Sequence, residues 1–142
     1  MPTRNASAVW EGGLRGGKGS FKSESGAIGG SYSFGSRFGD AGGTNPEELL
    51  AAAEAACFSM ALSGALEKNG TPASRVQTNA ACTVEKVGEG FKITTMKLDV
   101  IADVPNVDDA KFQEIAKGTK VGCPVSQALA GVDIQLTAEL TK

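Results

Sequence analysis

A chain of 142 residues can bury the core of one domain without disulfide or metal staples, and no second domain is expected. Its 14 basic and 16 acidic residues leave a net charge of −2, too weak a field to draw nucleic acid or an anionic membrane. There is no histidine, which excludes Cys-His and Ser-His catalysis, imidazole metal ligation and histidine proton shuttling.

The opening MPTRNASAVWEGG lacks the apolar run of a secretory signal. No window of about 18 residues reads as apolar enough to span a bilayer. A cytoplasmic protein with no membrane partner is therefore expected. The three cysteines form no C-x-x-C pair, which argues against a disulfide scaffold and against a disulfide reductase.

Residues 5–45 are rich in glycine and serine with scattered aromatics, in the runs NASAVWEGGL, GKGSFKSESGAI and GGSYSFGSRF. Such polar-aromatic runs with turn punctuation predict strands or hairpins. At Thr44-Asn45-Pro46-Glu47-Glu48 the character changes. Thr44 or Asn45 suits an N-cap, Pro46 the first helical position, and the two acids the first turn. Residues 49–66 are good helix formers, and Lys68-Asn69-Gly70 followed by Pro72 is a stop.

Within residues 49–62 only Glu54 and Ser59 are plainly polar, so this helix belongs in an interior. Its alanines at 51–53 and 55–56 let another backbone approach closely. One small domain has few layers with which to cover every face, so burial against the same helix of a second copy, and hence a homodimer, is expected.

Farther on, Val76, Thr78, Ala80, Cys82 and Val84 alternate with polar residues as in a half-buried strand. After the turn at 88–90, Phe91 and Ile93 fall on one parity and Met96, Leu98 and Val100 on the other. Either a β-bulge resets the phase or the strand is covered on both faces. Val107, Phe112, Ile115 and Ala116 then follow helical spacing, Gly122 breaks it, and Pro124 opens a short helix, PVSQALAG. Val132, Ile134, Leu136, Ala138 and Leu140 alternate in a last strand. The order predicts a single α+β domain over residues 1–142, with a largely antiparallel sheet and a long central buried helix.

The cysteines differ in setting. Cys82 shares the apolar parity of its strand and reads as a core residue. Cys123, in GCPVS, stands exposed at a helix N-cap, where free N–H groups and the helix dipole favour a thiolate. Cys57 lies inside the apolar helix, where desolvation suppresses the reactive thiolate unless a fixed positive charge offsets it. Without histidine the candidates are lysine and arginine, and Arg37, between aromatics just before the helix, is attractive. A guanidinium can face a thiolate and a carboxylate together, and Glu47 or Glu48 could orient it.

The segments TNPEELLAAAEAACFSMALS, VGCPVSQAL and FGSRF together resemble the OsmC/Ohr family of thiol peroxidases, and the WEG…GKGSFKSESGAI opening is similar to its OsmC branch. The resemblance covers essentially the whole chain. It implies an OsmC-like fold, an intertwined homodimer with active sites at the subunit interface, and reduction of organic hydroperoxides without a bound cofactor or metal. By position, Cys57 matches the peroxidatic cysteine, Cys123 the resolving cysteine, and Arg37 and Glu47 the pair that activates the thiolate. It also implies recycling of the disulfide by an external dithiol, a lipoylated protein rather than glutathione.

Phe58 and Met60, near the thiol, suit an alkyl or fatty-acyl hydroperoxide. Ten helical steps separate Glu47 from Cys57 by roughly 15 Å. The Arg37–Glu47 pair is therefore expected to meet a thiolate across the dimer interface, or the helix start to bend. The competing expectation is a redox-sensing or apolar-ligand-binding protein without turnover.

Overall fold

The computed structural model describes residues 1–141, which fall into two compact units, one from Met1 to Leu49 and one from Leu50 onward. In the first, β1 (Ala6–Glu11), β2 (Lys18–Ser23) and β3 (Gly29–Tyr32) form an antiparallel sheet in that order. The scattered aromatics of the sequence meet across it. The Tyr32 ring lies 5.5 Å from Trp10 and 6.0 Å from Phe21. Gly19 permits this, because a Cβ there would stand 2.6 Å from the Tyr32 ring and 2.8 Å from that of Trp10.

The run GGSYSFGSRF is only half strand. After β3 the chain turns into a short helix, α1 (Phe34–Phe38), which the polar-aromatic pattern does not predict. A capping box starts it: the Ser36 N–H donates to Ser33 Oγ at 3.0 Å and the Ser33 N–H to Ser36 Oγ at 2.8 Å. Gly43 then adopts φ 110°, a left-handed conformation costly for other residues, and Thr44 bonds back to Ser31 of β3.

The long helix α2 runs unbroken over Pro46–Lys68. Asn45 is its N-cap, accepting the Glu48 N–H at 2.8 Å. At the other end Gly70, with φ 81°, lets the Thr71 N–H reach the Leu66 carbonyl and its own N–H reach that of Glu67, a Schellman stop.

In the second unit, β4 (Arg75–Val87), β5 (Gly90–Asp103) and β6 (Asp133–Thr141) form a sheet with β5 in the middle. Thr83 pairs with Thr95 but Val84 pairs with Ile93, so Thr94 is the extra residue of a bulge. That resolves the change of parity. Beyond the bulge Met96, Leu98, Val100 and Ala102 are buried, whereas Phe91 before it is exposed. β4 is antiparallel to β5, but β6 runs parallel to it, because α3 (Asp109–Gly122) and α4 (Pro124–Ala128) carry the chain back between them. The remaining pairings are antiparallel, so the largely antiparallel expectation stands with this one exception.

The core of this unit joins Phe58, Leu62 and Leu66 of α2 to the buried face of β5 and to Phe112 and Ala116 of α3. Within one chain α2 is covered along one side only. Only one stripe, Glu54, Phe58, Leu62 and Leu66, is fully covered. Ala52, Ala53, Ala56 and Met60 are exposed within one chain, because a helix packed on a single layer covers a single face. A correction concerns the membrane. With a mean hydropathy of 1.6, α2 is long and apolar enough to cross a bilayer, contrary to the sequence expectation, since alanine and leucine fill it. Its Phe58, Leu62 and Leu66 pack into the core of the second unit.

Candidate active site

The four residues singled out in the sequence occur as two pairs, one in each unit. In the first unit, Arg37 stands in the last turn of α1 and Glu47 in the first turn of α2. Their ends are tied together: Ser36 Oγ donates to the Thr44 carbonyl at 2.8 Å, and Asn45 Nδ2 donates to the Ser36 carbonyl at 3.0 Å. Arg37 donates from Nε and Nη2 to Glu47 Oε1, at 2.9 and 2.8 Å, and Nε also reaches Oε2 at 3.3 Å. The structure thus selects Glu47, which is buried, over Glu48, which is exposed. Among the described residues Nη1 has no hydrogen-bond partner, and 36% of the Arg37 side chain remains accessible. Arg37 lines a cavity of about 200 Å³ with Trp10, Leu14, Tyr32, Phe34 and Phe38. A cation therefore faces an aromatic recess.

In the second unit, Cys57 of α2 and Cys123, between α3 and α4, are brought together. Their sulfurs lie 2.9 Å apart with the Cys123 S–H donating. A disulfide bond is about 2.05 Å long, so the sulfurs are unbonded, and both thiols are free. Cys57 is half-buried, whereas Cys123 is only 1% exposed. The sixty-six-residue separation is closed because α3 and α4 return the chain to the face of α2 that carries Cys57.

The expected exposure of Cys123 is overturned, and with it the expected preference for the thiolate. Burial, first, and the hydrogen bond to Cys57, second, push the thiol's pKa up. The N–H groups of Ser126 and Val125 and the Ser126 hydroxyl act in the other direction but do not prevail. Pro124 does open α4 at Cys123, so the N-cap position was read correctly and its solvation was not.

Two further residues complete the cluster. Glu54, three residues before Cys57 and so on the same face of α2, is fully buried. Its Oε1 accepts the Ser126 hydroxyl at 2.6 Å, and its Oε2 lies 3.4 Å from Cys123 Sγ, as an acceptor of the thiol proton. The only signal for Glu54 in the sequence is a lone acid in a run of alanines. Ser126, inside GCPVS, gave none. Cys82 is half-buried and packs against the core of its unit, as its strand parity predicts. Phe58 is fully buried in that core and is not available to a substrate, because one helical step turns it away from the Cys57 face. Met60, 81% exposed, is available.

The sequence model of the OsmC family, described as OsmC-like protein, matches residues 39–137, a span that crosses both units. Peroxiredoxin OsmC of Escherichia coli (strain K12) is 44% identical over 127 residues, 89% of this chain and 89% of that protein. Organic hydroperoxide resistance protein OhrB of Bacillus subtilis (strain 168) is 35% identical over 96 residues, 66% of this chain and 68% of that protein. The crystal structure of the B. subtilis OhrB superposes with a TM-score of 0.69 at 26% identity, covering 96% of this chain and 98% of that one. An organic hydroperoxide resistance protein from Elizabethkingia anophelis shares the fold, with a TM-score of 0.75 at 24% identity over 99% of this chain and 98% of the other. The α+β architecture of two small sheets and helices is the one these structures have.

Proposed function

The chain belongs to the OsmC-like protein family, and on that footing we propose that it is a cysteine peroxidase that reduces organic hydroperoxides to alcohols. The observation that carries the reading is the pair of free thiols with sulfurs 2.9 Å apart, one of them half-buried and the other enclosed. In this reading the Cys57 thiolate attacks the distal oxygen of ROOH and the O–O bond breaks. The departing alkoxide takes a proton and leaves as alcohol, and Cys57 becomes a sulfenic acid. The Cys123 sulfur then attacks the Cys57 sulfur and expels water, which forms the disulfide. An external dithiol reduces it by exchange and leaves as its own disulfide. A lipoylated protein is the proposed donor.

Arg37 supplies the cation that the chain's lack of histidine demands. With Nε and Nη2 held by Glu47, its Nη1 edge is left to face a thiolate and the charge that develops on the alkoxide. Helix geometry sets Glu47 and Cys57 roughly 15 Å apart along α2. We therefore assign the Arg37–Glu47 pair to the Cys57 of a second copy, within a homodimer that covers Ala52, Ala53, Ala56 and Met60. We read the chain as a single OsmC-like domain of an intertwined homodimer. The aromatic recess beside Arg37 and the exposed Met60 favour a substrate with an apolar substituent, which gains by leaving water. The names of the OhrB relatives point to the same substrate class. We place the protein in the cytoplasm.

The test is repeated consumption of cumene hydroperoxide with dihydrolipoamide as reductant. Wild type should turn over many times, Cys57→Ser should lose even the first turnover, and Cys123→Ser should keep the first and lose recycling. A single stoichiometric oxidation of the wild type without further turnover would instead support a redox sensor.

A further inference from the structure

We propose that Glu54 is the base that accepts the Cys123 proton when Cys123 attacks oxidised Cys57, with Ser126 holding the carboxylate in line. The inference rests on the peroxidase reading for the identity of the oxidised Cys57, and otherwise on the geometry of the second unit.

Disulfide formation needs a thiolate as the attacking group. Cys123 meets that need badly, since burial keeps it protonated, and with 1% of its surface exposed no base from solvent reaches its sulfur. Two acceptors are within reach of its single S–H: Cys57 Sγ at 2.9 Å and Glu54 Oε2 at 3.4 Å. Once Cys57 carries oxygen its sulfur is the electrophile and no longer serves as an acceptor. That leaves Glu54. The Ser126 hydroxyl occupies Oε1 at 2.6 Å and so turns Oε2 toward the sulfur.

The setting of Glu54 is costly unless it is used. It is fully buried, and among the described residues no lysine or arginine pairs with it. A buried acid held by hydrogen bonds but by no cation supports a fold less well than an apolar residue in its place. The step balances. The Cys123 S–H proton passes to Glu54 Oε2, the S–S bond forms as the Cys57 S–O bond breaks, and the leaving hydroxide takes the proton from Glu54 to depart as water. Cys123 is oxidised and the sulfenic sulfur is reduced, with no further reactant.

The test separates the two half-reactions. Reduced protein is mixed with one equivalent of cumene hydroperoxide without reductant, then quenched in time for free thiols and for Cys57 trapped by dimedone. Glu54→Gln keeps the shape of the side chain but takes no proton, and the two steps are timed separately in it. Closure of the disulfide should be slower, on the order of 100-fold, with the dimedone adduct accumulating. Closure at the wild-type rate overturns the proposal.

A second arm closes the disulfide with diamide, which needs no hydroperoxide but still needs a deprotonated Cys123. If the wild type ignores the hydroperoxide yet closes with diamide, the peroxidase reading fails, and the diamide rates alone decide the role of Glu54. Ser126→Ala should slow closure several-fold in both arms. Should Glu54→Gln not fold, wild-type closure in Ser126→Ala overturns the proposal.

Discussion

A thiol at the start of a helix gains from the N–H groups facing it, and a thiol out of reach of water loses more. At Cys123 the loss prevails, and this has a consequence for stability. The folded thiol holds its proton more tightly than the unfolded one, so its contribution to stability is complete below the unfolded thiol's pKa of about 8.5 and is lost as pH rises through the folded value. Thermal melts of the reduced protein between about pH 8 and about pH 10 should show a steeper fall in Tm for wild type than for Cys123→Ser. Equal slopes would contradict this account. The residue types of the site were legible in the sequence because each is a local anomaly: a thiol in alanines, an arginine between aromatics, an acid behind a helix-opening proline. Glu54 and Ser126 were not, because their roles arise only when α2 and the start of α4 meet.

At the scale of elements, the ends of α2 were legible because capping and stop chemistry is local: Asn45 with Pro46 at one end, Gly70 at the other. α1 was not, since its start depends on the reciprocal Ser33–Ser36 bonds, which a polar-aromatic run conceals. The bulge at Thr94 was half legible as a change of parity, and the parallel course of β6 follows from a crossover that no pattern within the strand records. The bare stripe of α2 carries its own prediction. With Met60 81% exposed in one chain, Met60→Glu should preserve the helical circular dichroism spectrum. In sedimentation it should shift the proposed dimer toward monomer. A Met60→Glu protein that sediments as wild type would remove this stripe from the interface.

For the whole molecule, two thiols from distant segments lie side by side in one unit and a cation is fixed on a buried carboxylate in the other, in a chain without histidine. Composition alone excluded histidine chemistry. It could not say which cysteine faces which, because that depends on α3 and α4 folding back on α2. The decisive measurement is mass spectrometry of protein exposed to a single equivalent of cumene hydroperoxide and alkylated at once. A bond between Cys57 and Cys123 is expected in the wild type, and one added oxygen on Cys57 in Cys123→Ser. Modification at Cys82, or Cys57 and Cys123 both left free to alkylate, would contradict it.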